Sequence, residues 1–298
     1  MMYFLFLIIA AMLSGLIVFG GQMFANMGLS AFEVSTIPYV LGVLTLFPFV
    51  LINKNFRLKK TSVFLLLIYG LATALTIVGQ FASLYFGIPV VIVVLLLYIQ
   101  PLWTTLISYF FLKEKISFRE ILACIIVILG VVILINPFNA SGNYNLVGLL
   151  VAAIGGLSLS GWIIIGSILS KRGNHPISSQ FFGVTFTVIL LVVLFPFLKY
   201  FNLPISLTAF SLHWSSTIWV WLILFAIFAV TINQLFYLWG VKKVKAVDAG
   251  IIMLLEPVVG AILAAIFLFQ PLNLYILIGG VMILFANYLV IANNKDRE

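Results

Sequence analysis

Charge is what this 298-residue sequence has least of: 7% of its residues are Asp, Glu, Lys or Arg, against roughly a quarter in a soluble domain. That scarcity excludes a water-facing surface of ordinary size. Together with 64% hydrophobic residues it makes the chain an all-α polytopic membrane protein. There is one cysteine, Cys124, so an intrachain disulfide and a cysteine metal cage are both excluded. Cys124 lies in an apolar run and reads as a small core residue. The two histidines, His175 and His213, fall in expected loops on opposite sides and read as solvated. With only seven acids in the chain, no His/Cys/Asp cluster and no nucleophile beside a base can be assembled. No catalytic residue, metal ligand or cofactor is therefore assigned. No G-x-x-x-x-G-K-[ST] stretch is present either, so energy for any work must come from a gradient or a partner.

The little charge that exists is mostly positive, with a net charge of +8. In a soluble chain this would suggest nucleic acid. Here the basic residues form short clusters between apolar runs, so they read as topology signals and no nucleic-acid partner is expected. Ten apolar runs qualify as spans, at about 3–19, 34–52, 62–83, 89–112, 117–135, 147–169, 177–197, 219–239, 247–269 and 272–292. The first lacks a basic flank and a cleavage site, which excludes a signal peptide. With the N-terminus inside, the inner loops hold 14 of the 15 Lys and Arg, and Lys199 alone lies outside. The positive-inside rule then puts both termini in the cytoplasm, and one span more or fewer would scatter the clusters to both sides.

Two stretches of this chain are copies. Tyr98–Leu112 (YIQPLWTTLISYFFL) beside Leu254–Leu268 (LLEPVVGAILAAIFL) pairs Gln100 with Glu256, Pro101 with Pro257, Thr104 with Gly260 and Ser108 with Ala264. Five spans per copy is an odd number, so the second copy enters the membrane upside down. The expected organisation is a first repeat at 1–136, an external linker at 137–145 and a second repeat at 146–298. Inverted repeats are a frequent plan of secondary transporters, in which two halves rock about a midplane site.

Glu256 is the costliest residue in that plan, because a carboxylate at mid-span costs a few kcal/mol on insertion scales and normally faces a cavity or a partner. It reads as a proton-coupling or cation-binding group, or else as a hydrogen-bonded structural acid before a proline. Pro101 and Pro257 remove backbone donors and bend their helices, as hinges or as static kinks. The small residues Thr104, Ser108, Gly260 and Ala264 would let spans 4 and 9 approach closely. Gln80, Gln100, Asn233 and Gln234 are uncharged polar groups at depth, suited to a zwitterionic solute or to bonding helix to helix. Tyr85, Tyr98, Trp103, Trp162 and Trp239 could line a cavity and stack on a cationic or aromatic solute, or anchor the interface.

The doubled five-span plan, the proline and small-residue pattern of spans 4 and 9, and the Leu112-Lys113-Glu114 ending of span 4 resemble the drug/metabolite transporter superfamily, and within it the EamA-type ten-helix transporters. The second repeat has Gln270 where the first has Glu114, and span 2 carries Ile37-Pro38-Tyr39 where relatives often place an Arg. The resemblance implies an exporter of small metabolites such as amino acids, working by alternating access around a midplane cavity. An importer or exchanger of a small cationic or zwitterionic solute is the alternative, ahead of a lipid flippase or an intramembrane lipid-modifying enzyme. The expected surroundings are a bacterial or archaeal plasma membrane and its lipids. A proton gradient is a candidate energy source, and a monomer would suffice.

Overall fold

The computed structural model describes residues 2–56, 62–86, 88, 90–135, 145–200, 208–269 and 274–295. Among the described residues there are helices and no strands: α1 (Met2–Asn26), α2 (Ala31–Ile52), α3 (Val63–Tyr85), α4 (Val90–Tyr98), α5 (Gln100–Phe111), α6 (Phe118–Ile135) and α7 (Leu146–Lys171) come first. They are followed by α8 (Pro176–Tyr200), α9 (Ser216–Phe225), α10 (Asn233–Gly240), α11 (Ala246–Met253), α12 (Glu256–Phe267) and α13 (Leu274–Lys295). A π-helical segment, Ala226–Ile232, joins α9 to α10. Nine stretches among the described residues are long and apolar enough to cross a membrane. In addition α6, of 18 residues, lies along α13. The expected linker lies outside the described residues apart from Asn145, whose side chain caps α7.

Composition explains why these segments are helical. A backbone in hydrocarbon must satisfy its own polar groups, and only a helix does so within one segment. Two ends are fixed by capping boxes, in which a Ser hydroxyl and a Glu carboxylate each accept an orphan N–H at the start of the helix. Glu33 N–H donates to Ser30 Oγ at 3.1 Å while Ser30 N–H donates to Glu33 Oε2 at 2.7 Å. At α6, Glu120 N–H donates to Ser117 Oγ at 3.2 Å and Ser117 N–H donates to Glu120 Oε2 at 2.6 Å.

Large side chains such as Phe110, Phe111 and Val281 point outward. Lipid tails solvate these as well as another helix would, so helix pairing depends on close backbone approach. The pairs follow an ordered pattern: α1 packs on α10 and α12, α3 on α7 and α8, α2 on α8, and α6 on α13. At the α3–α7 crossing a Cβ on Gly79 would stand 2.7 Å from Gly155 Cα and 2.9 Å from its N. Neither backbone can yield without parting the helices. Gly79→Val is therefore expected to destabilise the fold by about 1–3 kcal/mol through overpacking. Thermal unfolding in detergent checks this, and an unchanged midpoint would show that the crossing is slack.

The loops sort to two ends. Ser62 Oγ donates to Asn174 Oδ1 at 2.6 Å, Lys171 Nζ meets Glu114 Oε1 at 3.0 Å, and Lys245 Nζ meets Glu120 Oε1 at 2.7 Å. These contacts gather the Lys-bearing loops at one end, here the basic end. At the opposite end Ser211 N–H donates to Glu33 Oε1 at 2.7 Å and Ser30 Oγ donates to Ala209 O at 2.5 Å.

Three sequence expectations change in detail. Spans 4 and 9 are interrupted before the Gln-Pro and Glu-Pro pairs, where a bend was expected. The small residues do not simply face one another: Thr104 lies by Gly250 of α11, while Gly260 and Val259 meet Gly15 of α1. His175 is half-buried rather than solvated, with its ring 4.3 Å from that of Phe56. Burial, and then the positive charge of Lys242, push it below the ordinary histidine value.

Candidate functional site

The site begins with two interruptions. Pro101 and Pro257 have no N–H, so the carbonyls of Leu97 and Met253 lose their usual i+4 donors and the chain tightens before each proline. At the second interruption Leu254 N–H donates to Ile251 O at 3.1 Å and Leu255 N–H to Ile252 O at 3.0 Å, both three residues back. New helices start immediately afterwards, with Gln100 and Glu256 as the first residues of α5 and α12. Ten residues precede each of them from the start of the preceding half-helix (100 − 90 and 256 − 246), and eleven follow (111 − 100 and 267 − 256). Both therefore sit near the middle of a span. The first turn of a helix has unpaired N–H groups and the positive end of the dipole, which suits the carboxylate of Glu256.

The two counterparts have different surroundings. Gln100 is 1% exposed. Its Nε2 donates to Thr104 Oγ1 at 2.6 Å and its carbonyl accepts from Ser160 Oγ at 2.9 Å. A Cβ on Gly250 would stand 2.7 Å from the same Nε2. Gln100 is wedged between α7 and α11 and acts as a packing group.

Glu256 keeps accessible surface although it is at mid-span. Tyr98 of α4 and Tyr39 of α2 lie within electrostatic reach of its carboxyl. Beyond them stands a wall of rings. Trp162 of α7 stacks on Tyr237 of α10 at 4.3 Å and 24°, and on Tyr69 of α3 at 5.9 Å and 30°. Tyr237 is held by its hydroxyl, which donates to Ile163 O at 2.6 Å. Gly166 makes the room for it, since a Cβ there would stand 2.8 Å from Tyr237 Cε1. Six helices thus bring a carboxylate, two phenols within its electrostatic reach and a stacked aromatic wall to mid-span. Such a carboxylate can hold an amine or another cation by charge.

The acids at the ends have other occupations. Glu33 and Glu120 cap helices, and Glu114 pairs with Lys171 and accepts from Ala246 N–H at 3.4 Å. Asp248 is fully buried in the first turn of α11.

Of the remaining candidates, Asn233 joins α10 to α1. Its Nδ2 donates to Ser14 Oγ at 3.0 Å and to Ala229 O at 2.9 Å. The second bond satisfies a carbonyl of the π-helical segment, and Gln180 Nε2 does the same for Val230 O at 3.2 Å. Asn233→Leu would leave these acceptors unpaired in a dry core and is expected to cost about 1–3 kcal/mol. It should lower the thermal midpoint in detergent without changing which solutes compete; a changed solute order would move Asn233 into the site. Gln234 is buried, while Gln80 and Trp103 are half-buried on α3 and α5. Trp239 packs against Phe6 and Phe236, with centroids 6.1 and 5.9 Å away. The side chain of Tyr85 lies outside the described residues.

Sequence reasoning reached Glu256, Tyr98 and Trp162 but missed Tyr39, Tyr69 and Tyr237. Matching the two repeats could not find the last two, because the ring wall does not repeat. The two S-x-x-E capping boxes, by contrast, were a readable signal.

The profile of the EamA-like transporter family matches residues 1–136 and 146–292. An uncharacterised transporter of Clostridium kluyveri is 28% identical, over 98% of this chain and 94% of its own length. One of Archaeoglobus fulgidus is 26% identical over 65% of this chain and 64% of its own length. The uncharacterised transporter YetK of Bacillus subtilis is 29% identical over 66% and 58%. A protein crystal structure superposes with a TM-score of 0.76 over 99% of this chain and 98% of that one, at 16% identity, which is a likeness of fold alone.

Proposed function

Since this chain belongs to the EamA-like transporter family, within the drug/metabolite transporter superfamily, and is a multi-pass membrane transporter, we propose that it is a secondary exporter of small metabolites such as amino acids. It works by alternating access between two inverted five-helix halves, residues 1–136 and 146–298, with ten crossings and both termini in the cytoplasm. Several features support the inverted repeat. The two interruptions stand at equal depth, the family profile matches twice, and the helix pairs reciprocate: span 1 meets spans 8 and 9 as span 6 meets spans 3 and 4.

One observation carries the location of the solute path. Glu256 retains accessible surface at mid-span while its repeat counterpart Gln100 is sealed. A carboxylate facing phenols and stacked rings favours solutes that bear an amino group, and the same acid can exchange that group for a proton. An importer or exchanger of a small cation would use the same surfaces. The test is flux of an amino-acid and amine panel in proteoliposomes, with and without an imposed pH gradient. Accumulation of an amino-bearing solute driven by the gradient is expected. Movement of anions only would overturn the assignment.

A further inference from the structure

The chemistry at the basic end is not used by the solute site. Two carboxylates of the first half meet two ammonium groups of the second. Glu114, following α5, pairs with Lys171 at the end of α7 at 3.0 Å, and Glu120, in the first turn of α6, pairs with Lys245 at 2.7 Å. The two pairs converge on the start of α11. Lys245 is the residue that precedes its first turn, and its Nζ also donates to Lys115 O at 2.6 Å. Glu114 Oε1 accepts from Ala246 N–H, the first N–H of that helix. The half-helix that ends at the Glu256 interruption is thereby fastened at its other end to the first repeat.

This is not surface decoration. Glu120 has no exposed side-chain area and Glu114 has 10%, against 39% for Lys171 and 24% for Lys245. Charges held in partly dry surroundings are screened little by salt. At the opposite end Glu33 accepts from the N–H groups of Ser30 and Ser211. The stretches 23–29 (MFANMGL), 86–90 (FGIPV) and 269–275 (FQPLNLY) carry no charge, and Gln270 stands where Glu114 stands in the first repeat. Among the described residues the ion pairs stand at the basic end and not at the opposite one.

We infer that Glu114–Lys171 and Glu120–Lys245 form the gate of the basic end, which must open for the mid-span cavity to reach the solution on that side. The inference rests on the alternating-access reading above. Loosening both pairs releases α11 and shifts the resting population toward a cavity open at the basic end.

The test is labelling of Tyr39→Cys by a membrane-impermeant maleimide, on a Cys124→Ser background, in oriented proteoliposomes and from each face in turn. Position 39 is half-buried and within electrostatic reach of Glu256, so its labelling reports the cavity. The neutral quadruple variant Glu114→Gln, Lys171→Met, Glu120→Gln, Lys245→Met keeps the amide oxygens that cap α6 and α11. It is expected to raise labelling from the basic face at least fivefold. Exchanging one pair in the parent, Glu114→Lys with Lys171→Glu, restores the ion pair without the acceptor for Ala246 N–H and is expected to raise basic-face labelling less than half as much as the quadruple variant does. An unchanged basic-face rate in the quadruple variant overturns the gate, and so does a rise from both faces with a lowered thermal midpoint, which is loosening and not gating. Absence of labelling from either face in every variant would instead strike the cavity reading.

Discussion

Glu256→Gln is expected to lower gradient-driven solute flux about 10- to 150-fold, with the purified protein folding as the parent does. The magnitude follows from losing an interaction with a charged group, about 1.5–3 kcal/mol when made in a buried site. The sparing of the fold follows from the chain itself, which already carries Gln at the equivalent position, Gln100, before the equivalent proline. An amide has nearly the shape of the acid, so only the charge is removed. It cannot take up and release a proton, so any response of flux to a pH gradient should vanish together with the rate. Initial rates in proteoliposomes at several pH gradients measure both. If a variant of normal stability transports at the parental rate, Glu256 is a structural acid and the path lies elsewhere.

Trp162→Ala is expected to have the largest effect on stability, about 3–5 kcal/mol, the range for removing a large aromatic from a packed interior. Trp162 is 8% exposed and its ring stacks on those of Tyr237 and Tyr69. It therefore bridges α7 with α3 and α10, and its removal opens a cavity that three helices must collapse to fill. Tyr69 and Tyr237 are themselves 1% and 0% exposed, so neither can swing far to compensate. Trp162→Phe keeps a ring in the stack and should lose less than half as much. Unfolding midpoints of the three proteins in one detergent decide this, and an Ala variant as stable as the parent would mean that the wall carries no packing energy.

Much of this architecture was legible because membranes simplify the code. The scarcity of charge set the class, and the distribution of Lys and Arg set the expected sidedness. The paired Gln100-Pro101 and Glu256-Pro257 marked the two places where span 4 and span 9 change character. The sequence could not say whether those prolines bend a helix or interrupt it, because that depends on whether neighbours donate to the freed carbonyls. Nor could it tell Gln100 from Glu256 in exposure. Equal depth in the repeat predicts equal surroundings, yet Ser160, Thr104 and Gly250 close around one of them only. Tyr69 and Tyr237 were invisible for a related reason. Single tyrosines in apolar runs look like core, and only the crossing of α3, α7 and α10 makes them a wall. Asn233 was open to both readings, since an amide at depth is as useful for a π-helical carbonyl as for a solute, and its amide bonds Ser14 and Ala229 O.

The central claim is that solute passes the Glu256 carboxylate at mid-span. It is tested most directly by treating the parent protein in proteoliposomes with a lipid-soluble carbodiimide, which couples to accessible carboxyl groups in apolar surroundings, and following site occupancy by peptide mass spectrometry beside flux. Glu256 should be modified ahead of Glu33 and Glu120, whose oxygens are engaged by N–H and ammonium groups, and flux should fall in proportion to its modification. Full modification of Glu256 with flux undiminished would contradict the account.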